Sequence, residues 1–450
     1  MSITTPVPAT ASLPTVERRA VLPDGFRAGA RVAGIKASGR PDLALIATID
    51  GPAAAAAVFT PNAFAAAPVR QSRANLAATS GDPRGGFGWA RAVVSTSGSA
   101  NAATGAAGAA DQAAVGRSVA ARLDIEEPHV LHLSTGVIGT RLPLDKVDGG
   151  LGALVPTLAS TDEALEAAAT ALRTTDSVTK VATATVEIDG TPITVSGIAK
   201  GVGMIHPNMA TMLSVVLTDA RIEPAVLWGL LRPAAARTWD QLSVDGDTST
   251  NDTVFLLASG AAGTGVIEAG SAAAARLGTA IEAVARDLAR QQAADGEGAT
   301  ILITARVVAA VDDADARAVA RAVVSSSLVK AAAHGKDPNW GRIAGAAGNA
   351  ITASAAVLEA SGLSAADALE RAARPATIDP DRLRISIAGH RVFDGALGGP
   401  VAFDRAAARA AMDAPELLIE LDLGLGDGRG EAFGCDLTEA YVIENSEYTT

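Results

Sequence analysis

Short apolar runs alternate with alanine-rich stretches of helical spacing along nearly the whole chain, and this alternation most restricts the fold. "LALIATI" (43–49), "AAAAVFT" (54–60) and "RAVVSTSG" (91–98) read as strands, each followed by turn residues. "VLHLSTGVIG" (130–139) reads as a strand ending in a glycine-containing loop. "TATVEIDGTPITVSGIAKG" (183–201) is a hairpin turning at Asp189-Gly190, and "LSVVLTDA" and "TVFLLAS" are further strands. Helical spacing covers 111–125, 160–175 with a Ser160 cap, 223–242, 271–294 and 314–326. Residues 299–311 form a strand pair or one long strand, 382–395 a hairpin, and "ELLIELDLGLG" and "AFGCDLTEAYV" close a sheet. This pattern predicts an α/β fold, a layered sandwich of β-sheets between helices, with a second smaller α/β domain. No period of 20 to 50 residues marks a solenoid.

A length of 450 residues with 48% hydrophobic side chains supports a large core, but aromatics are only 3%, so Ala, Val, Leu and Ile must build it. The net charge of −12 and the lack of a basic run exclude nucleic acid and anionic membranes as expected partners. A single cysteine, Cys435, rules out a disulfide framework and a cysteine-based zinc site and fits a cytoplasmic protein. The five histidines lack metal-ligand spacing, so no metal is expected. The start of the chain has no secretory pattern, and its Ser, Thr and Pro content predicts a flexible arm over 1–20. No transmembrane helix is expected.

Several stretches could carry chemistry. Ser134, Thr135 and Gly136 follow an apolar strand, and a glycine beside a threonine hydroxyl is the composition of an oxyanion hole; a plain strand-to-loop turn explains them equally. "SVDGDTSTND" (243–252) gathers Asp245, Asp247, Asn251 and Asp252, but Thr250 and Leu256 break the calcium-loop template. An ordered loop whose side chains satisfy backbone groups is the better reading. "GLGDGRG" (424–430) has no helix after it and is no dinucleotide fingerprint. "HGKDPNWGRI" (334–343) reads as a compact loop in which Arg342 could clamp a carboxylate and Trp340 could pack.

"KGVGMIHPNMATML" (200–213) leads from glycines and Pro207 into an apolar strand. If the Ala210–Thr211 bond were cut, Thr211 would bear its hydroxyl beside a free α-amine. That amine titrates at about 7.7–8.0, which suits a general base for an N-terminal nucleophile. A turn with a strand-leading threonine accounts for the same residues.

Eight blocks turn this choice. "GSANAATG", "LSTGVIG", "TTDSVTK", "AKGVGMIHPNMATML", "SVDGDTSTND", "DGEGAT", "HGKDPNWGRI" and "CDLTEAYVIENSEYTT" occur in the order found in the ornithine acetyltransferases, or glutamate N-acetyltransferases, of arginine biosynthesis. The chain resembles that self-cleaving family over nearly its whole length. The resemblance implies Thr211 as nucleophile, Ala210–Thr211 as the autocleavage site, and Thr135 and Gly136 as oxyanion donors. It implies Thr174 (or Thr175), Lys200, Thr211, Glu297, Asn445 and Thr450 as substrate contacts. An α chain over 21–210 and a β chain over 211–450 would then assemble as two of each. The implied reaction moves acetyl from N-acetylornithine to glutamate without a cofactor, and acetyl-CoA is a second donor in some members. A paralogous acyltransferase of secondary metabolism and an amidohydrolase or aminopeptidase of the same logic are the rival readings. His206, Ala103 and Ile301 depart from the pattern expected at their positions.

Overall fold

The computed structural model describes residues 13–206, 212–360 and 362–446. Two compact units share the chain. The first takes the chain up to Gly201, the segment ending at Ala235, and Ser249–Leu288; the second takes the segment starting at Val202, Ala236–Thr248, and the chain from Ala289 onward.

The strands of the first unit are β1 (Phe26–Arg31), β2 (Leu43–Thr48), β3 (Ala53–Phe59), β4 (Phe87–Ala90), β5 (Ala92–Ser99), β6 (Val130–Val137), β7 (Lys180–Ile188), β8 (Thr191–Lys200) and β9 (Leu213–Thr218), with β11 (Thr253–Ala258) returning after β10 (Leu242–Ser243) of the other unit. They form a four-stranded sheet in the order β1-β2-β5-β6 and a six-stranded sheet in the order β4-β3-β11-β9-β8-β7. The two sheets share a core. Ala53, Ala55 and Ala57 of β3, Val215 and Leu217 of β9, and Phe255 and Leu257 of β11 belong to it with Phe26, Ile46, Leu131 and Leu133 of the smaller sheet. These residues sit at every second position, as a strand with two different faces requires.

The other faces are also covered. Leu43, Leu45 and Val94 pack with Val115 and Val119 of the helix Gly105–Leu123 and with Leu151 of the helix Leu144–Leu154. Behind the larger sheet, a Cβ on Gly197 would lie 2.7 Å from Leu288 and 2.9 Å from Val284, so the helix Ala272–Ala294 lies directly on β8. Strands covered on both faces read as continuous apolar runs, which is why "LALIATI" and "TVFLLAS" show no alternation. Within the arm expected over 1–20, Glu17 and Thr183 exchange both backbone hydrogen bonds at 2.8 Å.

The second unit holds β10, β12 (Leu302–Ala310), β13 (Arg384–Ile387), β14 (His390–Asp394), β15 (Gly399–Pro400), β16 (Glu416–Asp422) and β17 (Gly428–Cys435) in one sheet ordered β10-β17-β12-β16-β13-β14-β15. Here β16 alternates, with Leu417, Ile419 and Leu421 buried. Ile303, Leu421 and Ala432 share a core with Val319 and Val323 of the helix Asp313–Ser325.

The layered α/β expectation and most strands hold, including the Asp189-Gly190 turn, whose two residues both have positive φ as a type I′ turn demands. Several local expectations do not. The helix placed at 160–175 starts at Asp162, and its cap is Thr161, which accepts the Ala164 N–H, not Ser160. The helix predicted from 111 starts at Gly105, because alanine and glycine carry it before the amphipathic pattern begins. The helix expected over 223–242 ends at Arg237, with Pro233 inside it. The 299–311 stretch is one strand. The sheet ends at Cys435, and the following residues turn into the helix Glu439–Ser446.

Asp219, just after β9, accepts the Thr194 N–H at 3.0 Å. Burial pushes its carboxyl up to about 6, against the pull of the Thr194 and Asp219 N–H groups. A raised carboxyl favours the neutral form in the folded state. Ionised Asp219 therefore costs stability above pH 6 and nothing below its ordinary value near 4. Asp219→Asn keeps the acceptor and removes the charge. It is expected to add about 1–2 kcal/mol at pH 7, with the gain fading towards pH 4, as read by urea unfolding across that window.

Candidate active site

The expected oxyanion residues are not on a loop. Ser134, Thr135 and Gly136 are the end of β6, still paired in parallel with β5. The ladder breaks there, because Ser99 faces both Thr135 and Val137. Such bulges re-aim side chains beside active sites. Gly136 has φ of 130°, and a Cβ on it would lie 2.4 Å from the Gly98 carbonyl carbon, so no other residue fits at that close approach.

Thr135 is buried, and its Oγ1 accepts a hydrogen bond from Lys200 Nζ at 3.2 Å. With a lone pair of the hydroxyl engaged by a cation, its proton can be donated to a developing negative oxygen. Lys200 ends β8 and is itself only 3% exposed. A buried ammonium needs a compensating charge. Asp176 supplies it: its carboxyl accepts Lys180 Nζ at 2.7 Å, the Gly201 N–H at 2.8 Å and the Thr174 N–H at 3.1 Å. Burial alone would raise the Asp176 carboxyl, but Lys200 and Lys180 with these hydrogen bonds hold it well below the usual carboxylate range. Thr174, the expected substrate contact, is thus tied by its backbone to the same carboxylate, and its carbonyl accepts Arg40 Nη2 at 2.8 Å.

The loop "SVDGDTSTND" spans both units. In the first unit Asn251 Nδ2 donates to the carbonyls of Ala100 at 2.7 Å and Ser134 at 2.8 Å, so it clamps the peptide leading into Thr135. Asp252 Oδ1 accepts the Met212 N–H at 2.9 Å, while its Oδ2 is buried without a partner among the described residues. Burial pushes this carboxyl well up, with the Met212 N–H and Lys200 acting against it. In the second unit Asp245 accepts the N–H groups of Met204 and Ile205. The loop is ordered as expected, but its side chains satisfy distant backbones more than its own. Among the described residues no three His, Cys, Asp or Glu side chains group as a metal site.

Glu297 and Asn445 lie in the second unit, where Asn445 Nδ2 donates to Glu297 Oε2 at 2.9 Å. The Glu297 carboxylate rests on Gly203, since a Cβ there would lie 2.3 Å from Oε2. Ala210, Thr211 and Thr450 fall outside the described residues. Asn339–Arg342 is not a loop but the start of the helix Trp340–Gly348, which Asn339 caps. Trp340 packs on Phe393 with ring centroids 5.0 Å apart, and Arg342 donates to the Leu328 carbonyl. Sequence reasoning missed Asp176. Its signal was the four-residue spacing to Lys180 inside "TTDSVTK".

Fold and site together define a class, a layered α/β protein with a threonine hydroxyl and a glycine on a bulged strand and a buried lysine beside them. The chain belongs to the ArgJ family, which matches residues 27–450. It is 45% identical over 430 residues to the arginine biosynthesis bifunctional protein ArgJ of Thermus thermophilus, covering 95% of this chain and 99% of that one. The ArgJ protein of Synechocystis sp. is 41% identical over 444 residues, covering 97% and 98%. Among solved structures, an ornithine acetyltransferase complexed with ornithine from Mycobacterium tuberculosis is 38% identical, covers 43% of this chain and 98% of its own, and has a TM-score of 0.39.

Asn251→Ala leaves the Ala100 and Ser134 carbonyls buried without donors. A loss of about 2–4 kcal/mol in unfolding free energy is expected, read by urea denaturation. Asn251→Asp, which restores size but not the donated N–H groups, should recover little of it.

Proposed function

We propose that this protein transfers an acetyl group from N-acetylornithine to glutamate through an acetyl ester of Thr211. The observation that carries the reading is the Lys200–Thr135 contact at the β6 bulge, a cation holding a hydroxyl where an acyl oxygen can be stabilised. Family membership and the bifunctional arginine-biosynthesis names of its relatives support the same chemistry.

In this reading Thr211 Oγ first attacks the Ala210 carbonyl. The peptide C–N bond breaks, and the ester that forms is hydrolysed by water. The new α-amine of Thr211 then serves as general base. Thr211 Oγ attacks the acetyl carbonyl of N-acetylornithine, Thr135 and Gly136 stabilise the oxyanion, and the amide C–N bond breaks. Ornithine leaves as the amine after taking the proton. The amine of glutamate attacks the ester, N-acetylglutamate forms, and Thr211 regains its hydroxyl proton. Lys200 and Thr174 hold the substrate carboxylate, and Glu297, Asn445 and Thr450 take the ammonium and the remaining polar groups. The α chain (21–210) and β chain (211–450) of one precursor pair as two of each in the cytoplasm. No cofactor takes part, and acetyl-CoA serves as a second acetyl donor.

On a denaturing gel the wild-type protein is expected as two bands, and Thr211→Ala as one band near 45 kDa. Adding glutamate should raise ornithine release from N-acetylornithine severalfold in wild type and not in the variant. Release that is indifferent to glutamate would identify a hydrolase instead.

A further inference from the structure

The second unit contains a cavity of about 850 Å³ that the acetyl-transfer reading leaves unused. Its wall is unusual for a chain of net charge −12. Arg321, Arg342 and His206 line it with Asn339, Asn349 and Ser325, and no aspartate or glutamate is among the described lining residues. Arg321 comes from the helix Asp313–Ser325, where its Nη2 donates to the Ile351 carbonyl at 3.0 Å. Arg342 comes from the first turn of the helix Trp340–Gly348, where its Nη1 donates to the Leu328 carbonyl at 2.9 Å. Neither guanidinium has a carboxylate ion-pair partner among the described residues. Each is pinned by one N–H to a backbone oxygen and keeps further N–H groups.

Two more features point the same way. Ser325 Oγ is buried and has no hydrogen-bond partner among the described residues. The N-terminal turn of the helix Trp340–Gly348, with Asn339 and Gly341, also faces the cavity, and a helix N-terminus favours anions. Burial lowers the Arg321 pKa against the pull of Asp240, and an anion entering the cavity would add a further compensating charge.

We propose that this cavity is a second ligand site, for the phosphate group of a phosphate ester. Two planar guanidiniums, a hydroxyl and a helix N-terminus offer more donors than one carboxylate can accept, whereas the three terminal oxygens of a phosphate monoester can use them. The volume exceeds what free phosphate fills and suits an ester with an organic portion of nucleotide size. Gly341, Gly345 and Ala346 leave that portion room.

The test is isothermal titration of the full chain with adenosine diphosphate, inorganic phosphate and succinate at low ionic strength. Saturable binding of the nucleotide, weaker binding of phosphate and none of succinate is the expected pattern. Arg321→Met and Arg342→Met should each weaken the nucleotide roughly tenfold or more. Gly345→Glu offers a variant that spares the fold, because a Cβ there meets nothing within 4 Å. It places a carboxylate in the cavity and should abolish binding while the melting temperature and glutamate-dependent ornithine release stay as in wild type. No saturable binding to wild type would overturn the proposal, as would binding untouched by Gly345→Glu. Phosphate binding as tightly as the nucleotide would overturn the ester assignment. The acetyl-transfer reading stands or falls on the separate ornithine assay.

Discussion

The arrangement depends on one buried carboxylate. Asp176 is 1% exposed and serves three donors and a nearby charge: the ammonium of Lys180, the N–H groups of Gly201 and Thr174, and the charge of Lys200. These groups come from three parts of the first unit. Lys180 opens β7, Lys200 closes β8 with Gly201 next to it, and Thr174 follows the helix Asp162–Leu172. A carboxylate can leave water only where its hydrogen bonds and charge are answered, and here each answer fixes a piece of backbone. Without Asp176, two buried ammoniums would face each other, and Lys200 could not remain beside Thr135.

The charge balance around this node favours anions. Lys36 adds a third amine to the region. Burial first, and then the positive charges of Arg40 and Lys200, lower its pKa to about 8 against Asp42 and Asp176. Its Nζ donates to the carbonyls of Pro41, Ala171 and Arg173. Asp252 adds no full counter-charge, because burial drives its carboxyl towards the neutral form. Lys36, Lys180, Lys200 and Arg40 set against Asp42 and Asp176 leave the region a surplus of positive charge. That suits both the carboxylate of an amino-acid substrate and the oxyanion that forms during acyl transfer.

Much of this was legible in the sequence, for reasons that differ from place to place. Hairpins announced themselves through residues with no alternative, as Asp189-Gly190 does by accepting positive φ twice. Fully buried strands showed as apolar runs. Helices built on alanine and glycine, such as Gly105–Leu123, lacked an amphipathic edge and lost their first turn. The helix at Trp340 was hidden behind Asp337-Pro338-Asn339, which reads as a turn until the Asn339 side chain is seen accepting the Arg342 N–H. Thr135 and Gly136 stood out by composition and Lys200 through resemblance, and spacing alone could not have paired them, since 65 residues separate Thr135 from Lys200. Asp176 went unread and Asn251 was read only as part of a self-satisfying loop, because each acts through backbone groups far along the chain, and only the folded register brings those groups within reach.

The sheet order also bears on self-cleavage. The segment that would be cut joins β8 to β9, and β9 lies inside the six-stranded sheet rather than at its edge. It pairs antiparallel with β8 from Lys200↔Leu213 to Val195↔Thr218, and parallel with β11 from Thr253↔Leu213 to Ala258↔Thr218. Its first residues are held independently, the Met212 N–H by Asp252 and the Met212 carbonyl by the Thr253 N–H. Breaking the peptide bond before Thr211 would remove the covalent link and none of these hydrogen bonds. Loop closure between β8 and β9 contributes little once two ladders and a two-sided core fix the strand, so the severed halves would stay one folded unit. A central strand is therefore a place where a chain can acquire a new N-terminus without losing its structure, and an edge strand would not provide this.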